Sequence, residues 1–232
     1  MFLYCDDYTA KLIYMYFENR EQAGQILAAE LIEKYRYEDC AVVALSDGAV
    51  VVGEQIAKAL HSLLTMLLVE EIEVPGEGVS FGGVSQDGNF TYNGSFSAGE
   101  IEEYTSEYHG YLEEQKRLAF QKMNRLLGDG GLIDKKMLRD RVIILVADGL
   151  DRESALDSAV DYLKPIKIKR LVVVTPVATV QVVDKLHIMA DELHVLDVKA
   201  NYMGTEHYYN QNDIPSHEDT IAKINQIVLN WQ

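Results

Sequence analysis

Five apolar residues in an unbroken run, Val142 to Val146, constrain this chain more than any other stretch. The run is short, rich in β-branched residues and free of polar alternation, the pattern of a strand buried on both faces, as in a parallel sheet. It ends in Ala147-Asp148-Gly149, a small, acidic, flexible corner. Ser154 then opens a helical pattern that carries Ala155, Leu156, Ala159, Val160 and Leu163. A buried strand, a tight acidic loop and a helix N-terminus, in that order, make the ligand crevice of an open α/β sheet. The stretch from Arg141 to Val160 is therefore the expected centre of the molecule.

The rest of the chain repeats the alternation. Residues 1–20 open with Phe2-Leu3-Tyr4 and continue with Leu12 to Phe17, which predicts a short strand or strand pair packed on the domain. Asn19 is a suitable N-cap for a helix through Arg36, with Ala23, Ile26, Leu27, Leu31 and Tyr35 at helical spacing. Cys40 to Leu45 is a second short apolar strand. The turn Ser46-Asp47-Gly48-Ala49 follows it, and then a helix from Val51 to Leu60. Leu63 to Val69 predicts a third strand leading into Glu70-Glu71 and a Pro75-Gly76 turn. The Gly-, Ser- and Asn-rich stretch Gly76 to Gly99 suits a flexible flap or hairpin, with Asp87-Gly88 as the turn. It holds no phosphate-loop or dinucleotide fingerprint.

A long helix is predicted over Ala98 to Leu127, with a stripe of Ile101, Tyr104, Tyr108, Leu112, Leu118 and Leu126 ending at Gly128 to Gly131. Arg170 to Pro176 is a further buried strand, Thr179 caps a helix through Ala190, and Glu192 to Val198 makes a last strand. A polar loop with Tyr208, Tyr209, Asn210 and Asp213 precedes a final helix from Asp219 to Trp231. The fold class is α/β, a doubly wound parallel sheet. One domain over 1–232 is expected, with an insert over about 76–131 and a C-terminal tail and helix over about 200–232.

Charge and composition narrow the partners. The formal net charge is −16, a field that repels polyanions, so neither nucleic acid nor an anionic membrane surface is an expected partner. Cys5 and Cys40 form neither a metal spacing nor a disulfide framework, and no basic N-region precedes an apolar run. A cytoplasmic protein is expected, and the sequons at Asn89 and Asn93 then carry no meaning. His187, His194, His207 and His217 lie near carboxylates without the i,i+3 or i,i+4 spacing of a zinc site. Ser46 and Ser154 stand at strand-to-helix turns without the flanking glycines of a nucleophile elbow.

The central stretch, IILVADGLDRESA from Ile143 to Ala155, resembles the signature of the type I phosphoribosyltransferases, roughly VILVDDGxATGAT. The strand, Asp148 and Gly149 match. Ala147 stands at the first acid of the signature, and Arg152-Glu153-Ser154-Ala155 replaces the Thr-Gly-Ala-Thr phosphate loop. Leu45 to Ala49 is similar to the family's Leu-Pro-Arg-Gly-Gly segment, with Asp47 at the arginine position and Ala49 at the second glycine. Glu70 and Glu71 stand where related proteins carry basic residues before the Pro-Gly turn. The run from Phe17 to Ala28, the VVVTPVA segment and the Tyr-rich stretch near the end extend the resemblance over about residues 17–220.

The resemblance implies the phosphoribosyltransferase fold and a homodimer. In this family the acidic pair holds ribose hydroxyls, the following loop holds the 5-phosphate, and magnesium bridges the pyrophosphate that a base displaces. By that correspondence the ligand-binding residues are Asp148, Gly149, Asp151, Arg152, Glu153, Ser154 and Ala155, with Asp47 and Gly48 on the pyrophosphate side. No catalytic residue is assigned, and magnesium is expected only if the protein is active. A carboxylate in place of a guanidinium repels phosphate where the family attracts it.

Two functions are expected to compete. In the first, the protein keeps the fold and serves as a binding or regulatory module for a small molecule such as a nucleoside, nucleotide or sugar phosphate. In the second, it is an active phosphoribosyltransferase that moves 5-phosphoribose from phosphoribosyl pyrophosphate to a nucleobase-like acceptor, with Arg152 and the helix N-terminus holding phosphate. A third possibility is a structural partner protein whose acidic crevice is only surface. Asp148 is the residue most suited to meet ribose hydroxyls, and as a plain loop acid it would instead cap the helix.

Overall fold

The computed structural model describes residues 16–127, 135–152 and 154–230. The expected N-terminal strands before Tyr16, the Gly128 to Gly131 helix stop, Glu153 and Trp231 lie outside the described residues. The central sheet has five strands: β1 (Cys40–Ala44), β2 (Leu63–Met66), β6 (Val142–Val146), β7 (Arg170–Thr179) and β8 (Glu192–Lys199). Its order is β2-β1-β6-β7-β8 with every neighbour parallel.

The apolar runs are continuous because both faces are covered. Val142, Ile144 and Val146 of β6 pack under α1 (Arg20–Tyr35), α2 (Asp47–Leu60) and α7 (His217–Asn230). Ile143 and Leu145 face α5 (Ser154–Leu163) and α6 (Val180–Met189). The doubly wound parallel sheet is thus present, with a core on each side.

Strand order decides where a ligand could sit. The chain runs from β1 outward to β2, then returns to place β6 on the other side of β1. The reversal point of such a sheet opens a crevice at the strands' carboxyl ends. Ala44 pairs with Val146, so Ser46 and Asp148 each stand two residues beyond a paired position on adjacent strands.

Several expectations change in detail. The predicted strand Leu63 to Val69 is divided between two sheets. β2 ends at Met66, and β3 (Val69–Glu73) begins an antiparallel sheet with β4 (Ser80–Ser85) and β5 (Phe90–Tyr92). An unbroken apolar run carries no sign of such a switch, since Leu67 is fully buried between the two halves.

Within residues 76–99, Ser80–Ser85 and Phe90–Tyr92 pair as a hairpin, and Gly82-Gly83 lies in its buried strand β4. A side chain at Gly83 would come within 2.5 Å of Ser158 Oγ, so glycine lets α5 pack directly on β4. The long helix is two, α3 (Ala98–Glu107) and α4 (His109–Leu127), broken at Tyr108. Leu112, Ala119 and Met123 form its buried stripe, whereas Leu118 is exposed. Helical phase placed the small Ala119 inward at the expense of its larger neighbour.

Among the described residues no helix is long and apolar enough to cross a membrane.

Candidate functional site

The floor of the crevice is set where β1 and β6 end. Ser46 caps α2, accepting from the Ala49 backbone N–H at 2.9 Å, and donates its hydroxyl to Asp148 Oδ1 at 2.8 Å. The other carboxylate oxygen is taken by Arg20, whose Nε lies 2.7 Å from Asp148 Oδ2. Arg20 is fully buried. Its Nη2 reaches Glu206 at 2.7 Å, and its Nη1 reaches Asn212 and Asp213, each at 3.3 Å. Its guanidinium carbon also lies 4.4 Å from the centre of the Tyr209 ring, and the Tyr209 hydroxyl donates to the Asp148 carbonyl at 2.6 Å.

Burial works against the Arg20 charge, but the hydrogen bond and charge of Asp148, with Glu206 and Asp213, outweigh it and hold the group protonated. Burial likewise pushes the Tyr209 phenol far up, and the Asp148 charge adds to it, so this hydroxyl stays a donor.

Gly48 belongs to this pair. A side chain there would meet Asp148 Oδ2 at 2.2 Å and Arg20 Nε at 2.7 Å. The glycine therefore makes room for an internal ion pair. It also lies with Asp47 in the first turn of α2, because that helix starts at Asp47 and not at the expected Val51. The Ser46 cap takes the Ala49 amide that a turn would have left open. The Asp47 carboxylate is engaged by His217 Nδ1 at 3.0 Å, and His217 Nε2 sits 3.1 Å from the Leu126 carbonyl.

The cleft itself has a volume of about 320 Å³. Of the residues singled out in the sequence, Asp148, Gly149, Asp151, Arg152 and Ala155 line it, and Ser46 and Glu71 complete its walls. Asp47, Gly48 and Ser154 do not line it, and Glu153 lies outside the described residues. One wall of the cleft is Glu71 of β3. Arg152 Nη1 approaches Glu73 Oε1 at 2.9 Å and Glu71 Oε2 at 3.3 Å, and Ser154 donates its hydroxyl to Glu71 Oε1. The hydrogen bond to Glu73 holds the Arg152 charge firmly, against a modest opposing effect of burial.

Magnesium that bridges a ligand's phosphates needs only one or two protein carboxylates, and among the acids here Asp151 lines the cleft. Both Asp148 oxygens are engaged, Asp47 is held by His217, and no group of three described acids, histidines or cysteines converges on one point.

Arg20, Glu206 and Asp213 were not predicted as site residues. Arg20 follows a helix cap and precedes a glutamate, the setting of a solvated first-turn residue, and its partners are 128, 186 and 193 positions away. The available signal was its place in the run from Phe17 to Ala28 that resembles bacterial phosphoribosyltransferases.

No family model matches the chain. Among solved structures, the protein TT1426 from Thermus thermophilus is similar at a TM-score of 0.69 and 24% identity, covering 94% of this chain and 99% of that one. A hypoxanthine phosphoribosyltransferase from Staphylococcus aureus is matched at a TM-score of 0.45 and 14% identity, over 84% of this chain and 82% of that one. For a purine phosphoribosyltransferase from Pyrococcus horikoshii the TM-score is 0.44 and the identity 11%, over 84% and 89% of the two chains. The fold is shared with the Thermus protein over nearly its whole length. The doubly wound parallel α/β sheet expected from the sequence is the one the chain adopts.

Proposed function

We propose that this phosphoribosyltransferase-like protein no longer performs efficient phosphoribosyl transfer and uses its crevice to bind a ligand without phosphates. The observation that carries this reading is the engagement of Arg152 and Ser154. The side chains best able to hold phosphate beside Asp148 are committed to Glu71 and Glu73. Stabilising a departing pyrophosphate is the main electrostatic task of such a reaction, and each missing donor costs about 2–4 kcal/mol in the transition state. The acidic lining, Glu71, Asp148 and Asp151 against Arg152 alone, favours an uncharged polyhydroxyl compound such as a nucleoside, or a cationic ligand.

The test is calorimetric titration of the full chain with phosphoribosyl pyrophosphate and magnesium, with Asp148→Asn in parallel. No heat up to millimolar donor is the expected result. Micromolar binding that the substitution abolishes would overturn the reading in favour of an active transferase.

A further inference from the structure

Two donor groups converge on one carboxylate in the wall of the crevice, and that carboxylate belongs to the chain itself. Ser154 is only 1% exposed and gives its hydroxyl to Glu71 Oε1. Arg152 brings its guanidinium to the other oxygen, Oε2, at 3.3 Å. Ser154 is also the first residue of the ten-residue helix α5, whose N-terminal end favours negative charge.

A hydroxyl, a guanidinium and a helix start around an oxyanion are the parts that hold a ligand's phosphate or carboxylate. Here the oxyanion arrives from β3, 83 positions away from Ser154, through the docking of the antiparallel sheet. It sits in the lining of an open cleft, and the Arg152 side chain is still 46% exposed. Solvent anions can therefore reach the guanidinium, but the buried Ser154 hydroxyl is already taken by the tethered Glu71.

We infer that Glu71 is an intramolecular anion plug: it fills the oxyanion seat formed by Ser154 and Arg152 and so bars phosphate-bearing ligands from the crevice. This rests on the proposed function and supplies its cause. Glu73 serves a different end. It pairs with Arg152 at 2.9 Å without contacting Ser154, so it holds the arginine and leaves the seat to Glu71.

The test uses the full chain and two probes, inorganic phosphate and ribose 5-phosphate, followed by calorimetry and amide chemical shifts. The wild type is expected to show no saturable binding of either up to about 10 mM. Glu71→Ala empties the seat and is expected to bind both at least about tenfold more tightly than wild type, and adding Arg152→Met should remove the gain. Glu71→Gln keeps the volume and an acceptor for Ser154, guards against a folding defect, and should gain less. Glu73→Ala removes the same charge from the same strand and should behave as wild type.

The plug is overturned if neither Glu71 variant gains affinity, if Glu73→Ala gains as much, or if the gain survives loss of Arg152. Binding of phosphoribosyl pyrophosphate with magnesium by the wild type would remove both the plug and the proposed function. Its absence, together with no gain in the Glu71 variants, would remove the plug alone.

Discussion

The floor of the crevice and its roof, the Arg152 contacts with Glu71 and Glu73, use the same chemistry to opposite ends. Each is an arginine held by acids from distant elements. On the floor, Arg20 has a fully buried side chain, the Asp148 side chain is 12% exposed, and residues from the β1–α2 turn and the C-terminal loop converge on the pair. At the roof the Arg152 side chain is 46% exposed, and Glu73 is 50% exposed. Removing one partner from a buried pair strands a charge without solvation, whereas an exposed pair is screened and exchanges readily for water. The floor is thus a structural joint between the N-terminal helix, the signature loop and the C-terminal loop, and the roof is a contact that a ligand or a substitution can rearrange.

Arg20→Met strikes the comparison hardest. It leaves Asp148 buried with Ser46 as its remaining side-chain donor, and a loss of about 3–5 kcal/mol is expected in denaturant unfolding. A loss under about 1 kcal/mol would put floor and roof in one class. Gly48→Ala tests the same joint by steric means. Alanine in a helix gains up to about 1 kcal/mol over glycine. Its Cβ, however, would lie 2.2 Å from Asp148 Oδ2, in a spot with little freedom to shift. A net loss of about 1–3 kcal/mol is expected from overpacking. Ser46→Ala removes the α2 cap together with one Asp148 donor, and should cost about 1–2 kcal/mol.

A third network, of intermediate exposure, sharpens the contrast by pH. Burial pushes Glu192 upward, yet hydrogen bonds from Lys34, Tyr35 and His194 prevail and hold it at about 2. An unfolded glutamate titrates near about 4.3. The stability from this depressed acid is therefore complete above the unfolded value and is lost as pH falls through about 2. Glu192→Gln should flatten the acid limb of stability against pH over that window, by a modest amount because solvent screens the group. Arg152→Met should have the smallest effect, under about 1 kcal/mol on unfolding at neutral pH. A larger loss would make the roof structural as well.

The strands and the crevice were readable because burial on two faces leaves uninterrupted apolar runs, and because an acid after such a run can only sit at the strand's carboxyl end. Val142 to Val146, Asp148 and the Asn19 and Thr179 caps are all of that local kind. The sheet change at Leu67, the break at Tyr108 and the phase that buries Ala119 left no local mark, since they follow from what each segment docks against. The site divides the same way. Asp148, Gly149, Asp151, Arg152 and Ala155 line the cleft from one contiguous loop and helix start.

The sequence by itself determined the alternating α/β pattern, the acidic field and the loop on which the crevice is built, because period, charge and chain order are properties of neighbours along the chain. Only the tertiary structure decided that Arg20 would be buried against Asp148 and that Glu71 would sit on Ser154 and Arg152. Those partners are 128, 83 and 81 positions apart, and a side chain's charge acts on whatever folding brings within a few ångströms of it.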